Sequence, residues 1–125
     1  MRRVAVVEDN PDNRLLVRAI LEDRYELCEY ASGKEALANA PRDRPELILL
    51  DISLPEMDGT EVLRRLRTFR ALAKVPVVAL TAHAMVGDRQ RFLAAGFDDY
   101  IPKPILDPAH LMGIIETLLA GAEDG

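Results

Sequence analysis

Val4-Ala5-Val6-Val7-Glu8-Asp9, Leu47-Ile48-Leu49-Leu50-Asp51 and Val75-Pro76-Val77-Val78-Ala79-Leu80-Thr81 decide the fold. Each is a run of apolar residues without polar alternation, closed by an acid or a hydroxyl. A strand with one wet face alternates, whereas a strand covered on both faces does not. Pro76 stands near the start of its run, where a strand tolerates proline. Tyr25 to Tyr30 and Asp99 to Ile101 are two weaker strand candidates.

Helical patterns separate these runs, and their boundaries are written in capping chemistry. Asn10-Pro11 supplies an N-cap and a first-turn proline before a face of Leu15, Leu16, Ala19 and Ile20. Ser32-Gly33-Lys34-Glu35 reads as a capping box, and Asp58-Gly59-Thr60-Glu61 has the same spacing before Val62, Leu66 and Phe69. Asp107-Pro108 precedes a 3.6-residue stripe of Leu111, Ile114, Ile115, Leu118 and Leu119. Gly96 and Gly121 sit where left-handed C-caps belong. Five strands alternating with five helices define an α/β domain, with a doubly wound parallel sheet covered on both faces.

The 125 residues suffice for one domain and its core. Sixteen basic residues against 21 acidic ones, net −5, argue against direct nucleic-acid binding through phosphate neutralisation. One cysteine, Cys28, forms no internal disulfide, and with two histidines it makes a poor zinc set. No stretch is long and apolar enough for a signal h-region or a membrane span, so a cytoplasmic setting is expected. A domain over 1–120 and a polar tail over 121–125 complete the organisation.

Ligands of an open parallel sheet bind at the carboxyl ends of its strands. There the sequence places Glu8 and Asp9, then Asp51, then Thr81, with Lys103-Pro104 after the last strand. Each alone has a plain structural use as a cap or a solvated charge. Together they make a site. Clustered carboxylates repel unless a cation joins them, and hard oxygen donors without nitrogen or sulfur suit Mg²⁺. A lysine and a hydroxyl suit phosphoryl oxygens, and a carboxylate can itself be the nucleophile.

Glu8-Asp9, Asp51 with Leu54-Pro55-Glu56-Met57-Asp58-Gly59, Thr81, and Tyr100-Ile101-Pro102-Lys103-Pro104 resemble the receiver domains of two-component response regulators. The likeness covers essentially the whole chain. It implies a flavodoxin-like (βα)5 fold with strand order 2-1-3-4-5 and a cis Lys103-Pro104 peptide. It implies Asp51 as phosphoacceptor, and Mg²⁺ (Mn²⁺ able to substitute) held by Glu8, Asp9, Asp51 and the backbone carbonyl of Ser53. Thr81 and Lys103 would contact phosphoryl oxygens, Thr81 and Tyr100 would form the switch, and Ser53 and His83 would tune phosphoryl lifetime. The implied partners are a histidine kinase or histidine phosphotransfer protein as donor, and a downstream protein target. That target would meet the fourth helix, fifth strand and fifth helix. Asn10-Pro11-Asp12-Asn13 and Tyr100-Ile101-Pro102-Lys103-Pro104 look more like stand-alone cell-cycle receivers and hybrid-kinase receivers than transcription-factor ones; Met1 and the polar tail favour a stand-alone chain, and a domain of a longer chain would read the same.

Two other readings compete. A haloacid-dehalogenase-like phosphohydrolase would carry a second aspartate where Ser53 stands, would place its nucleophile on the first strand and would need room for a cap. A degenerate receiver acting only as a binding module would have lost motif residues that are all present. No G-x-G-x-x-G or Walker A pattern occurs. If His83 governs access of the hydrolytic water, a His83→Ala protein will dephosphorylate at a different rate from the parent; an unchanged rate removes His83 from the site.

Overall fold

The computed structural model describes residues 1–54, 56–82 and 88–124, and strand alternates with helix through all of them. The strands are β1 (Arg3–Val7), β2 (Glu26–Tyr30), β3 (Leu47–Asp51), β4 (Val77–Thr81) and β5 (Asp99–Pro102). The helices are α1 (Pro11–Leu21), α2 (Gly33–Asp43), α3 (Gly59–Leu66), α4 (Asp88–Ala95) and α5 (Pro108–Asp124). A 3₁₀ turn over Arg70–Leu72 leads into β4 and has no counterpart in the sequence reading. All pairings are parallel in the order β2-β1-β3-β4-β5, as the resemblance implies.

Alternate strand residues feed two cores. Ala5, Val7, Ile48, Leu50, Val77 and Ala79 meet the buried faces of α2, α3 and α4 on one side. Val4, Val6, Leu47, Leu49, Val78 and Leu80 meet α1 and α5 on the other. This double covering is why the runs show no polar alternation. Register then sets the site. Val7 lies opposite Leu50, Asp51 opposite Leu80 and Thr81 opposite Pro102, so the strands end level with one another.

The caps behave largely as read. The Asn10 side chain accepts from the N–H groups of Asp12 and Asn13, and Asp107 accepts from those of Ala109 and His110. Ser32 Oγ accepts from Glu35 N–H at 3.0 Å, while Glu35 reaches back to Ala31 N–H. At α3 only half the box forms. Asp58 accepts from Thr60, but Glu61 turns away to Arg64 and Arg65. Gly96 has φ +108° and completes a Schellman motif, with Gly96 N–H on Leu93 O and Phe97 N–H on Phe92 O. The Phe92 and Phe97 rings make its apolar contact, edge to face at 6.1 Å.

Three expectations need correction. α1 buries Val17 and Leu21, whereas Leu15 is 56% exposed and Leu16 is also open. The inward stripe runs through Asn13, Val17, Ile20 and Leu21, and its polar first member disguised it. Phe69 lies beyond α3 and is 37% exposed, because the helix ends at Leu66. α5 continues through Gly121, which is helical and open on all sides rather than a left-handed cap.

Gly59 is the tightest point of the β3–α3 connection. A Cβ there would stand 2.5 Å from Ile52 Cα and 2.9 Å from Ile52 Cβ, so backbone would have to move. Gly59→Ala should therefore cost about 1–3 kcal/mol, read as a lower urea midpoint with an unchanged m-value; an unmoved midpoint would show that the contact is not binding.

Candidate functional site

Four strand ends supply the site. Glu8 follows β1, Asp51 closes β3, Thr81 closes β4 and Lys103 follows β5. Glu8, Asp51 and Thr81 are each only 1% exposed, while Asp9 stays open to solvent. Lys103 Nζ donates to Asp51 Oδ2 at 2.7 Å and lies 3.4 Å from Glu8 Oε2. Ser53 N–H donates to Asp51 Oδ1 at 2.8 Å. Carboxylate oxygens of Glu8, Asp9 and Asp51 lie within 4.8 Å of one another, a separation one hard cation can bridge. The Lys103-Pro104 peptide is cis, as the resemblance implies.

The charges are divided unequally. Burial, then a hydrogen bond with Asp51, pushes the Glu8 carboxyl up to about 7; Asn13 and Lys103 oppose the rise. Burial also presses Asp51 upward, but hydrogen bonds with Glu8, Lys103 and Ser53 outweigh it and hold that carboxyl below the usual range. Burial works against the Lys103 ammonium, yet Asp51 and Glu8 raise it above its ordinary value. The neighbouring ammonium thus favours the ionised form of Asp51, and Glu8 is the more readily protonated of the pair.

Tyr100 is half-buried, with its ring 5.5 Å from Phe92 and tilted 42°. It pairs with Ala79 on β4 and packs on the same core as Ala79. By the two-residue period of a strand, Tyr100 shares a sheet face with Thr81. Ser53 is exposed beside Asp51. His83 lies outside the described residues.

Two supporting residues escaped the sequence reading. Asn13 Nδ2 donates to Glu8 Oε1 at 2.7 Å, and Arg14 Nη1 donates to the carbonyls of Glu8 (2.7 Å) and Asp9 (3.3 Å). Their signal was present: a polar residue one turn before Val17 on the buried stripe of α1 needs a polar partner under the helix.

The model of the response regulator receiver domain family matches residues 4–116, and the chain belongs to that family. Polar-differentiation response regulator DivK of Brucella ovis is 44% identical over 118 residues, covering 94% of this chain and 93% of that protein. Vibrio cholerae chemotaxis protein CheY4 superposes with a TM-score of 0.86 at 29% identity, covering 94% of this chain and 98% of that one. The receiver domain of sensor histidine kinase PA1611 from Pseudomonas aeruginosa, solved with magnesium in its active site cleft, gives 0.85 at 37% identity. That match covers 95% of this chain and 98% of that one. Receiver domains take phosphoryl groups from histidine kinases or phosphotransfer proteins and act on downstream targets; they signal rather than turn over a substrate. The phosphohydrolase alternative is not favoured. Among the described residues no helix is long and apolar enough to cross a membrane.

A carboxyl raised in the folded state favours folding below its unfolded value and loses that advantage as pH climbs through the folded one. Metal-free protein should therefore lose thermal stability between pH 4.5 and about 7, as Glu8 ionises without a cation. Glu8→Gln should flatten that fall; an equally steep fall in the variant would place its origin elsewhere.

Proposed function

We propose that Asp51 is the phosphoacceptor of this receiver. The observation that carries the reading is its double anchoring, Oδ2 on Lys103 and Oδ1 on Ser53 N–H, inside a three-carboxylate cluster. The donor set of Glu8, Asp9 and Asp51 fits Mg²⁺, with Mn²⁺ able to substitute and the Ser53 carbonyl as a further ligand. When bound, the ion would supply positive charge to offset that of the carboxylates and the transferring phosphoryl group.

An ionised Asp51 oxygen attacks the phosphorus of a phosphohistidine on a kinase or phosphotransfer protein. The P–N bond breaks, its electron pair stays on the imidazole, and a new P–O bond joins the phosphoryl group to Asp51. The Lys103 ammonium, already against Asp51, neutralises charge at the phosphoryl oxygens, and the Thr81 hydroxyl donates to one of them. The acyl phosphate carries about 1.5–2 negative charges in place of the single charge of the carboxylate. Movement of Thr81 toward it opens space on the face that Tyr100 shares, and Tyr100 turns inward to fill it. The α4–β5–α5 surface then favours its target-bound form, a population shift that needs about 5.5 kcal/mol of differential stabilisation to be near complete. Ser53 and His83 govern how long the phosphoryl group survives. A cytoplasmic donor and target belong to the same reading.

With Mg²⁺ and a small phosphoramidate donor, the protein should accumulate close to one hydroxylamine-labile phosphoryl group per chain. Asp51→Asn or a metal chelator should reduce labelling to background, and Lys103→Ala should slow it severely. Rapid release of many equivalents of phosphate without labelled protein would instead indicate a hydrolase, and labelling of Asp51→Asn would move the acceptor elsewhere.

A further inference from the structure

At the end of the sheet opposite the carboxylates, the segments entering β3 and β4 meet Arg2 and the late turns of α5 around an open groove of about 580 Å³. Its rim carries Arg2, Arg44, Arg70 and Lys74 against one lining acid, Glu46, which lies 3.6 Å from Arg2. Most basic side chains of this acid-rich chain are matched. Arg3 is spent on Glu26, Arg18 on Glu29, Arg24 on Glu116 and Arg64 on Glu61. Among the described residues, the basic side chains making neither an ion pair nor a hydrogen bond are Lys34, Arg44, Arg70, Lys74 and Arg89. Three of these five stand around this one groove.

The groove's chemistry narrows what would fill it. Its floor is apolar, formed by Pro45, Val75, Pro76 and Leu119. Backbone donors are scarce: the two prolines have none, Glu46 N–H is held by Arg3 O and Val75 N–H by Leu72 O. A compact phosphate seeks a convergent cradle of N–H groups, and Pro45 and Pro76 with the engaged N–H groups of Glu46 and Val75 do not supply one. Long, flexible cations over an apolar floor instead match carboxylates spread along an extended chain with apolar side chains between them. The floor is already braced. Arg67 donates to the carbonyls of both Leu72 and Val75 and faces Asp98 at 3.5 Å, so docking would demand little ordering of the protein. A long polyanion would meet the acid excess of the remaining surface.

We propose that this groove docks an extended acidic segment of a partner protein, glutamate- or aspartate-rich with interleaved apolar residues. The site is independent of Asp51 and stands at the other end of the strands. A short fluorescent peptide alternating glutamate and leucine should bind saturably in anisotropy titrations. Arg70→Glu combined with Lys74→Glu should weaken it at least about tenfold, while Lys34→Glu combined with Arg89→Glu should not. All four positions are exposed, and circular dichroism checks that both double variants fold. Asp51→Asn should bind like the parent, so failure here leaves the phosphoacceptor reading untouched. Absence of saturation, equal weakening by the two double variants, equal binding of a glutamate-only peptide, or displacement by millimolar inorganic phosphate would each overturn the proposal.

Discussion

Two buried carboxylates share one ammonium at the edge of this sheet, and the rest of the molecule is arranged so that they can. Left alone, Glu8 and Asp51 would repel each other in a medium that screens charge poorly. Lys103 comes from the far side of β4 to meet them, which requires β1, β3, β4 and β5 to end level. That requirement fixes the register, and the register fixes which apolar residues face which layer of helices. The site and the core are consequences of one alignment.

Much of this alignment was legible because it is repetitive. Short unbroken apolar runs bounded by helix caps are the signature of strands covered on both faces, and the polar residue ending each run falls at the same edge. The caps at Asn10, Ser32, Asp58 and Asp107 were readable for a similar reason, since each depends on a side chain close in sequence. What stayed hidden depends on contacts across space. The inward face of α1 was misread because Asn13 spends its amide on Glu8, and a polar residue on a buried stripe looks like a break in the stripe. The end of α3 was misplaced because Phe69 continued the apolar period on paper, although the chain had already left the helix. Gly121 carried a cap signal that α5 ignores.

The division of protons within the site also lay beyond sequence reading. Three acids were identifiable as a cluster, but not which of them would hold a proton. Burial is nearly the same for Glu8 and Asp51, so their difference comes from their neighbours. Lys103 sits closer to Asp51, and the Ser53 N–H adds a second donor there. Glu8 receives the Asn13 amide and only the weaker side of Lys103. A difference of less than an ångström in ammonium position accompanies the lowered carboxyl of Asp51 and the raised carboxyl of Glu8.

Phe92 belongs to two arrangements at once. Its ring anchors the last turn of α4 through Phe97 at the Gly96 cap, and the same ring supports Tyr100 from β5. The helix terminus and the tyrosine therefore lean on one side chain. The Phe92 ring that closes the helix is thus in contact with Tyr100 as well as with Phe97. The tyrosine and the helix terminus share one aromatic support, and a smaller side chain at Phe92 would be felt at both.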